Sequence, residues 1–380
     1  MKVVIAPDSF KGSISAKNLC FSICLGIKSV FPDAEVVEVP MADGGEGTME
    51  NLTYATNGNI HTVWANDPLG RKIQTSYGIL GDNETVIIEM AQVSGLPLLT
   101  EEEKNPLIAS SFGTGQLILE ALDKGYRSFI IGLGGSATND GGTGMLKALG
   151  VKFYNNINEE LDDNVVSLKE LSHIDLSNID ERIKASKFII ASDVTNPLCG
   201  ENGASYIFGP QKGATPEIVE VLDTSLKNYG EVINKYIDKN IFEIPGAGAA
   251  GGMGAALFAF LNAEMKSGIE ITMSVTQFHK VIKDADLIIT GEGKFDSQTL
   301  SGKVIAGVGK VAKKEDVPVI VLCGKNELKS NDMNSLGVNT AFSIVPGPCT
   351  LNEAVSNAKE WVFDRTEQIM RMYKVINYKV

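Results

Sequence analysis

Residues 2–47 read KVVIAPDSFKGSISAKNLCFSICLGIKSVFPDAEVVEVPMADGGEG, and the order of patterns within them sets the fold class. Lys2–Ala6 is a short apolar run that breaks at Pro7-Asp8-Ser9, as a buried strand does on entering a loop. Ser15 is suited to cap a helix, and beyond it Leu19, Ile23, Leu25, Ile27 and Val30 recur at helical spacing. Glu35–Val39 is a second strand, ending in the loop Met41-Ala42-Asp43-Gly44-Gly45-Glu46-Gly47, after which a helix of roughly ten residues is expected. Strand, helix, strand, helix in this order is a βαβ arrangement and requires a parallel sheet.

Outward from this stretch the texture changes and then returns. From His61 to Met90, strand-like runs are separated by Asp67-Pro68-Leu69-Gly70 and Gly81-Asp82-Asn83, which reads as hairpins. Alternation resumes near Gly113, with a helix over 115–124, a strand over 128–133, a glycine-rich loop over 134–142, and a strand over 188–191. A helix is expected over about Pro216–Lys239 and a small-residue helix over about Gly251–Asn262. The last third is regular: strand Leu287–Thr290 leads into Gly291-Glu292-Gly293-Lys294-Phe295-Asp296, and a helix begins near Thr299. Strands Val317–Cys323 and Thr340–Val345 and a closing helix from Leu351 follow. The first and last segments share one texture. They are expected to form a Rossmann-like, doubly wound parallel sheet from residues 1–58 and 285–380, interrupted by an inserted α/β domain at 59–284. The two strands at 128–133 and 188–191 fit either sheet.

Composition limits the functions. At 380 residues the chain exceeds one ordinary core, and its 43% hydrophobic content is enough to fill two. A net charge of −13 repels nucleic-acid phosphates and anionic lipid, so both are excluded as partners. A small anion remains allowed, because a few basic groups set the potential inside a cleft. Five cysteines make no disulfide framework; Cys20 and Cys24 are one helical turn apart and read as core-facing residues rather than a metal pair. The three histidines are scattered, which leaves zinc and Ser-His-Asp chemistry without material. The N-terminus shows no basic segment followed by a long apolar run, so a cytoplasmic enzyme is expected.

The chemistry is expected in the loops after strands, where glycine admits a ligand close to the backbone and helix N-termini present N–H groups to anions. Gly132-Leu133-Gly134-Gly135-Ser136-Ala137 and Gly246-Ala247-Gly248-Ala249-Ala250-Gly251 both fit a dinucleotide fingerprint, which supports a nicotinamide-dependent oxidoreductase of small hydroxy acids as the alternative. Neither has the acidic residue that holds a ribose at the following strand end. The loop Gly134, Gly135, Ser136, Thr138, Asn139, Asp140 suits a triphosphate better, with a tight helix-capping turn as the plain alternative. No P-loop motif occurs. Phosphoryl transfer needs cations, magnesium ligands and a base. Lys11 is placed for a transferring phosphate; Asp43 and Glu46 suit magnesium or, equally, a capping box; Asp193, at a strand end, is the preferred base. Glu292 and Asp296 form a second carboxylate pair with Lys294 between them and Lys303 beyond. Arg71 is a candidate fork for a substrate carboxylate, with a surface arginine as its alternative.

Four runs then resemble a known family: Ala6-Pro7-Asp8-Ser9-Phe10-Lys11-Gly12, Ala42-Asp43-Gly44-Gly45-Glu46-Gly47, Gly134 to Gly142, and Gly291-Glu292-Gly293 to Asp296-Ser297-Gln298-Thr299. In this order they are similar to the type-1 glycerate kinases of bacteria, over nearly the whole chain. The resemblance implies two α/β domains with the active site between them, and phosphorylation of D-glycerate by ATP with Mg2+. On this reading Asp8 joins Asp193 and Lys11 as catalytic, Ser9, Lys294 and Asp296 join Arg71 in binding substrate, and Glu292 joins Asp43 and Glu46 at the metal. One departure is Lys294-Phe295, which stands where the family is expected to carry an arginine and an aliphatic residue. A homodimer is compatible with the sequence. A non-enzymatic binder of sugar acids is the third reading, opposed by carboxylates beside the glycine loops.

Overall fold

The structure, a computed structural model, describes residues 1–238, 240–301 and 304–377. Its strands are β1 (Lys2–Ile5), β2 (Glu35–Glu38), β3 (Asn59–Asn66), β4 (Lys72–Ile79), β5 (Thr85–Glu89), β6 (Ser128–Gly132), β7 (Lys152–Tyr154), β8 (His173–Asp175), β9 (Lys187–Ala191), β10 (Glu264–Lys266), β11 (Leu287–Phe295), β12 (Val319–Asn326) and β13 (Thr340–Ser343). The chain divides into two compact units, one of residues 1–43, 50–57 and 269–380, the other of residues 44–49 and 58–268. Residues 269–284, read from sequence as part of the insert, group with the first unit, where Ile269, Phe278 and Ile282 enter its core.

The first unit is built on an all-parallel sheet in the order β13-β12-β11-β1-β2. Successive residues serve opposite faces. Val3, Ile5, Leu287, Ile289, Ile320 and Leu322 meet Leu19, Ile23 and Val362 of helices Ala16–Val30 and Ala358–Asn377. Val4, Ile288, Val319 and Val321 meet Val304, Ile305 and Val308 of helix Val304–Lys314. Apolar runs buried on both faces are what a parallel sheet covered by helices requires. The expected cap forms, since the Ser15 side chain accepts from the Asn18 N–H at 3.3 Å. From β1 the chain builds to one side with β2 and to the other with β11, β12 and β13. A switch point therefore lies between β1 and β11, and the crevice beyond their carboxyl ends is the favoured place for a ligand.

One element differs usefully from expectation. The run Gly291–Phe295, read as a loop, continues β11, because β12 also runs on and Glu292, Lys294 and Phe295 register with Cys323, Lys325 and Asn326. Its charged side chains are thus carried on paired strand rather than on a mobile loop.

The second unit contains a six-stranded sheet in the order β10-β9-β6-β5-β4-β3, with β3, β4 and β5 antiparallel and the remainder parallel. The open question of the strands near 128–133 and 188–191 is thereby answered: as β6 and β9 they pair with each other in this second sheet. Phe129 and Phe188 stack across that pair with centroids 4.8 Å apart. The helix expected to reach Lys239 is Pro216–Ile233, and Lys239 itself lies outside the described residues. No helix among the described residues is long and apolar enough to cross a membrane.

Candidate active site

The switch point of the first unit gathers charge. The loop after β1 is anchored where the Asp8 N–H donates to the Gly291 carbonyl at 2.8 Å. Asp8 is buried, and its carboxylate accepts the Ser9 N–H at 2.7 Å. Lys11 reaches from the same loop to Asp43, which follows β2, with a separation of 2.7 Å. Glu292 on β11 is buried and accepts the Thr299 hydroxyl, while Asp296 accepts the Gln298 N–H at 2.8 Å. Lys294 lies between them, 2.7 Å from Asp296 and 3.2 Å from Glu327. Asp8, Ser9, Lys11, Asp43, Glu292 and Asp296 line one cavity of about 330 Å³, a size that suits a small ligand.

The electrostatics follow from this crowding. Burial and the neighbouring charge of Asp43 push the Asp8 carboxyl from 3.8 up to about 6, against the opposing pull of the Ser9 N–H and of Lys11. Burial alone would lower Lys11, but its bond to Asp43 and the charges of Asp43, Asp8 and Glu292 outweigh this and hold it above its ordinary value. Asp8 is therefore a proton acceptor poised near neutrality beside a firmly charged ammonium.

In the second unit the glycine-rich loop follows β6. Only its first part is accessible: Gly134 is partly exposed and Gly135 exposed, whereas Ser136, Thr138, Asn139 and Asp140 are buried. The Asp140 carboxylate is engaged by the N–H and hydroxyl of Ser111 and by the N–H groups of Gly142 and Gly144, so it shapes the loop, caps helix Thr143–Ala148 and ties it to the start of helix Phe112–Asp123. Gly134 must be glycine, since a Cβ there would fall 2.8 Å from the Cα of Gly45. The second fingerprint-like run packs on the first. Gly141 N–H donates to the Gly251 carbonyl at 2.9 Å, and a Cβ on Gly251 would meet the Thr138 carbonyl oxygen at 2.1 Å. Those glycines serve backbone contact, and neither run passes directly from strand to helix: helix Thr143–Ala148 begins well after β6, and Gly246 follows the short turn Ile241–Glu243.

The remaining sequence candidates are placed differently. Arg71 is paired with Asp67 and Glu103, each at 2.5 Å, and Asp67 is buried, so the guanidinium fork expected to take a substrate carboxylate is already filled. Glu46 is exposed and belongs to the second unit, where its charge bears on Glu89. Asp193 is exposed beyond β9. Lys303 lies outside the described residues. No group of three or more His, Cys, Asp or Glu among the described residues forms a metal cage. Sequence reasoning missed Glu89, a buried carboxylate at the end of β5 that accepts the Met49 N–H at 2.7 Å. It also missed Lys212, which is fully buried beneath the glycine loop. Pro210-Gln211-Lys212-Gly213 reads as a surface turn, so no local signal marks that lysine.

Comparison with known proteins identifies the family. The sequence profile of the glycerate kinase family matches residues 3–374. Glycerate 2-kinase of Escherichia coli K12 is 49% identical over 358 residues, covering 94% of each chain. Glycerate kinase of Bacillus subtilis 168 is 46% identical over 362 residues, covering 95% of each. A crystal structure from Salmonella typhimurium LT2, provisionally assigned as glycerate kinase 2, superposes with a TM-score of 0.89 at 43% identity over the full length of both chains. Nothing here supports the alternative of a nicotinamide-dependent oxidoreductase. The chain belongs to the glycerate kinase family.

Proposed function

We propose that this protein transfers the γ-phosphoryl group of ATP to D-glycerate, at the 2-hydroxyl, by direct in-line displacement. The observation that carries the reading is the switch-point cluster of the first unit, where a carboxylate poised near neutrality lies beside a charged lysine in a cavity sized for a three-carbon acid. The choice of the 2-hydroxyl leans on the Escherichia coli relative, which is a glycerate 2-kinase.

Phosphoryl transfer is mostly positioning and charge stabilisation. Asp8 takes the proton from the attacking hydroxyl, and its raised affinity for protons suits it to that step. Lys11 meets the transferring phosphoryl group. Lys294 and Asp296 hold the carboxylate and the remaining hydroxyl, with Ser9 on the opposite wall. Arg71 is assigned no part, because it belongs to the second unit, is held by Asp67 and Glu103, and does not line the cavity that Lys294 lines. Asp193, nominated by its position at a strand end, is kept as the rival base to be tested against Asp8. The nucleotide phosphates lie at Gly134 and Gly135, the accessible part of the glycine loop, with the Ser136 hydroxyl beneath.

Magnesium fits the carboxylates present. The charge of Asp43 adds to the proton affinity of Asp8; a divalent cation there would offset that contribution and leave burial, the larger cause, to keep Asp8 a proton acceptor. Asp43 and Glu292 would hold it, together with phosphate oxygens and water, since magnesium commonly takes only one or two protein carboxylates. When bound it neutralises phosphate charge. We place the enzyme in the cytoplasm, where ATP is supplied and its cysteines, all free, stay reduced.

The test is ADP release from ATP and magnesium with and without D-glycerate, with the product identified by phosphorus NMR. Release that depends on glycerate and yields 2-phosphoglycerate is expected. Release independent of glycerate removes the substrate assignment, and 3-phosphoglycerate as product removes the choice of hydroxyl.

A further inference from the structure

Lys212 ends the one-turn helix Pro210–Lys212 and is 1% exposed. Its Nζ donates to the Ser136 hydroxyl oxygen at 2.9 Å and to the Thr138 carbonyl at 2.6 Å. Around it the loop is buried and polar. The Asn139 amide donates to Ser205 at 3.0 Å, while Thr138 Oγ1 and Asn139 Oδ1 are buried with no hydrogen-bond partner. An ammonium placed here carries a large desolvation penalty, and burial pulls it from 10.5 to about 7 despite the attraction of Asp140. At neutral pH the free amine is therefore only partly protonated, and an anion bound against the loop would draw it to the charged form.

Because Ser136 Oγ accepts from Lys212, its own hydrogen must point elsewhere, and the hydroxyl is polarised as a donor. The Thr138 carbonyl, which would repel a phosphate, is turned inward onto the ammonium. Asp140, the other charge nearby, is engaged by N–H groups and the Ser111 hydroxyl. What remains is an accessible edge at Gly134 and Gly135 with the Ser136 hydroxyl beneath it, backed by an amine that an anion would charge.

We propose that Lys212 is a positioning residue for the nucleotide phosphates: a buried amine, charged when they are bound, that aims the Ser136 hydroxyl at them without touching them. This rests on the reading that the loop holds the nucleotide. The experiment measures ATP–magnesium binding by calorimetry, and KM for ATP and for glycerate, in wild type, Lys212→Met, Lys212→Gln, Ser136→Ala and the Lys212→Met/Ser136→Ala double variant. We expect ATP affinity to fall by about tenfold or more in both Lys212 variants and in Ser136→Ala, with KM for glycerate unchanged. The double variant should be no worse than Lys212→Met alone, because the hydroxyl acts only when the ammonium aims it. Wild-type ATP affinity in Lys212→Gln, an equal loss for both substrates, or additive effects would overturn the proposal. Should Lys212→Met fail to fold, Ser136→Ala and Lys212→Gln carry the same test, with thermal melting as the folding control. A wild-type protein that binds no ATP would overturn the nucleotide assignment itself. Normal wild-type binding with unaffected variants would overturn only the role of Lys212.

Discussion

The two polar centres of this molecule handle charge in opposite ways. In the first unit the carboxylates of Asp8, Asp43, Glu292 and Asp296 are crowded around lysines that only partly offset them, and the cost shows in the raised proton affinity of Asp8. In the second unit the one carboxylate of the glycine loop, Asp140, is fully engaged, and beside it lies a buried amine whose hold on its proton is weakened by burial. The first arrangement stores unfavourable electrostatics where a proton must move. The second presents a neutral-to-positive surface where an anion need only be held. Under the proposed function, chemistry and nucleotide binding are thus assigned to centres of different electrostatic character.

The sharpest way to break this contrast is Asp8→Asn. Turnover is expected to fall by roughly 10²–10⁴-fold, the range for losing a general base, while the fold gains stability. The sign follows from the raised proton affinity: the stability Asp8 contributes is fully present below pH 3.8 and is lost as pH rises through about 6. The variant escapes that loss, so its advantage over wild type should be absent near pH 4 and grow to at most roughly 3 kcal/mol above neutrality. Denaturant unfolding from pH 4 to 8 in the presence of chelator measures it. A variant less stable than wild type at pH 8 would show that Asp8 is not strained.

A smaller effect is expected from Gly134→Ala, whose added Cβ meets the backbone of Gly45. Displacing the loop should weaken ATP binding by about tenfold and leave glycerate binding alone. If glycerate suffers more, the division of labour is misassigned. Asp193→Asn is expected to slow turnover by less than about tenfold. A loss of several orders of magnitude there, with Asp8→Asn nearly active, would transfer the base role to Asp193. The smallest kinetic effect belongs to Arg71→Ala: both KM values should hold within about twofold while the melting temperature drops, since Asp67 is left buried without its partner. A selective rise in glycerate KM would restore the carboxylate role to Arg71.

Much of this was legible in residues 2–47 and their counterparts near the C-terminus. The βαβ texture, the Ser15 cap and the loop lysine and carboxylates could be read because strand ends and helix starts leave local marks. The four motif runs carried the family. At Arg71 the sequence left both a substrate fork and a surface arginine open, because a lone arginine in a turn looks the same whether its partners are a substrate or Asp67 and Glu103. Which unit Glu46 packs with was not legible, because nearness to Asp43 in sequence does not decide it.

The sequence by itself determined the fold class, the all-parallel sheet of the first unit and the family, since these depend on periodicity and on motifs that stay contiguous. Only the tertiary structure decided that β6 and β9 belong to the second sheet, that β11 carries its charges on paired strand, and that Lys212 is buried under the glycine loop. The physical reason is the same in each case. Strand pairing, desolvation and the direction of a hydrogen bond depend on groups distant along the chain, and no local pattern of residues encodes which of them will meet.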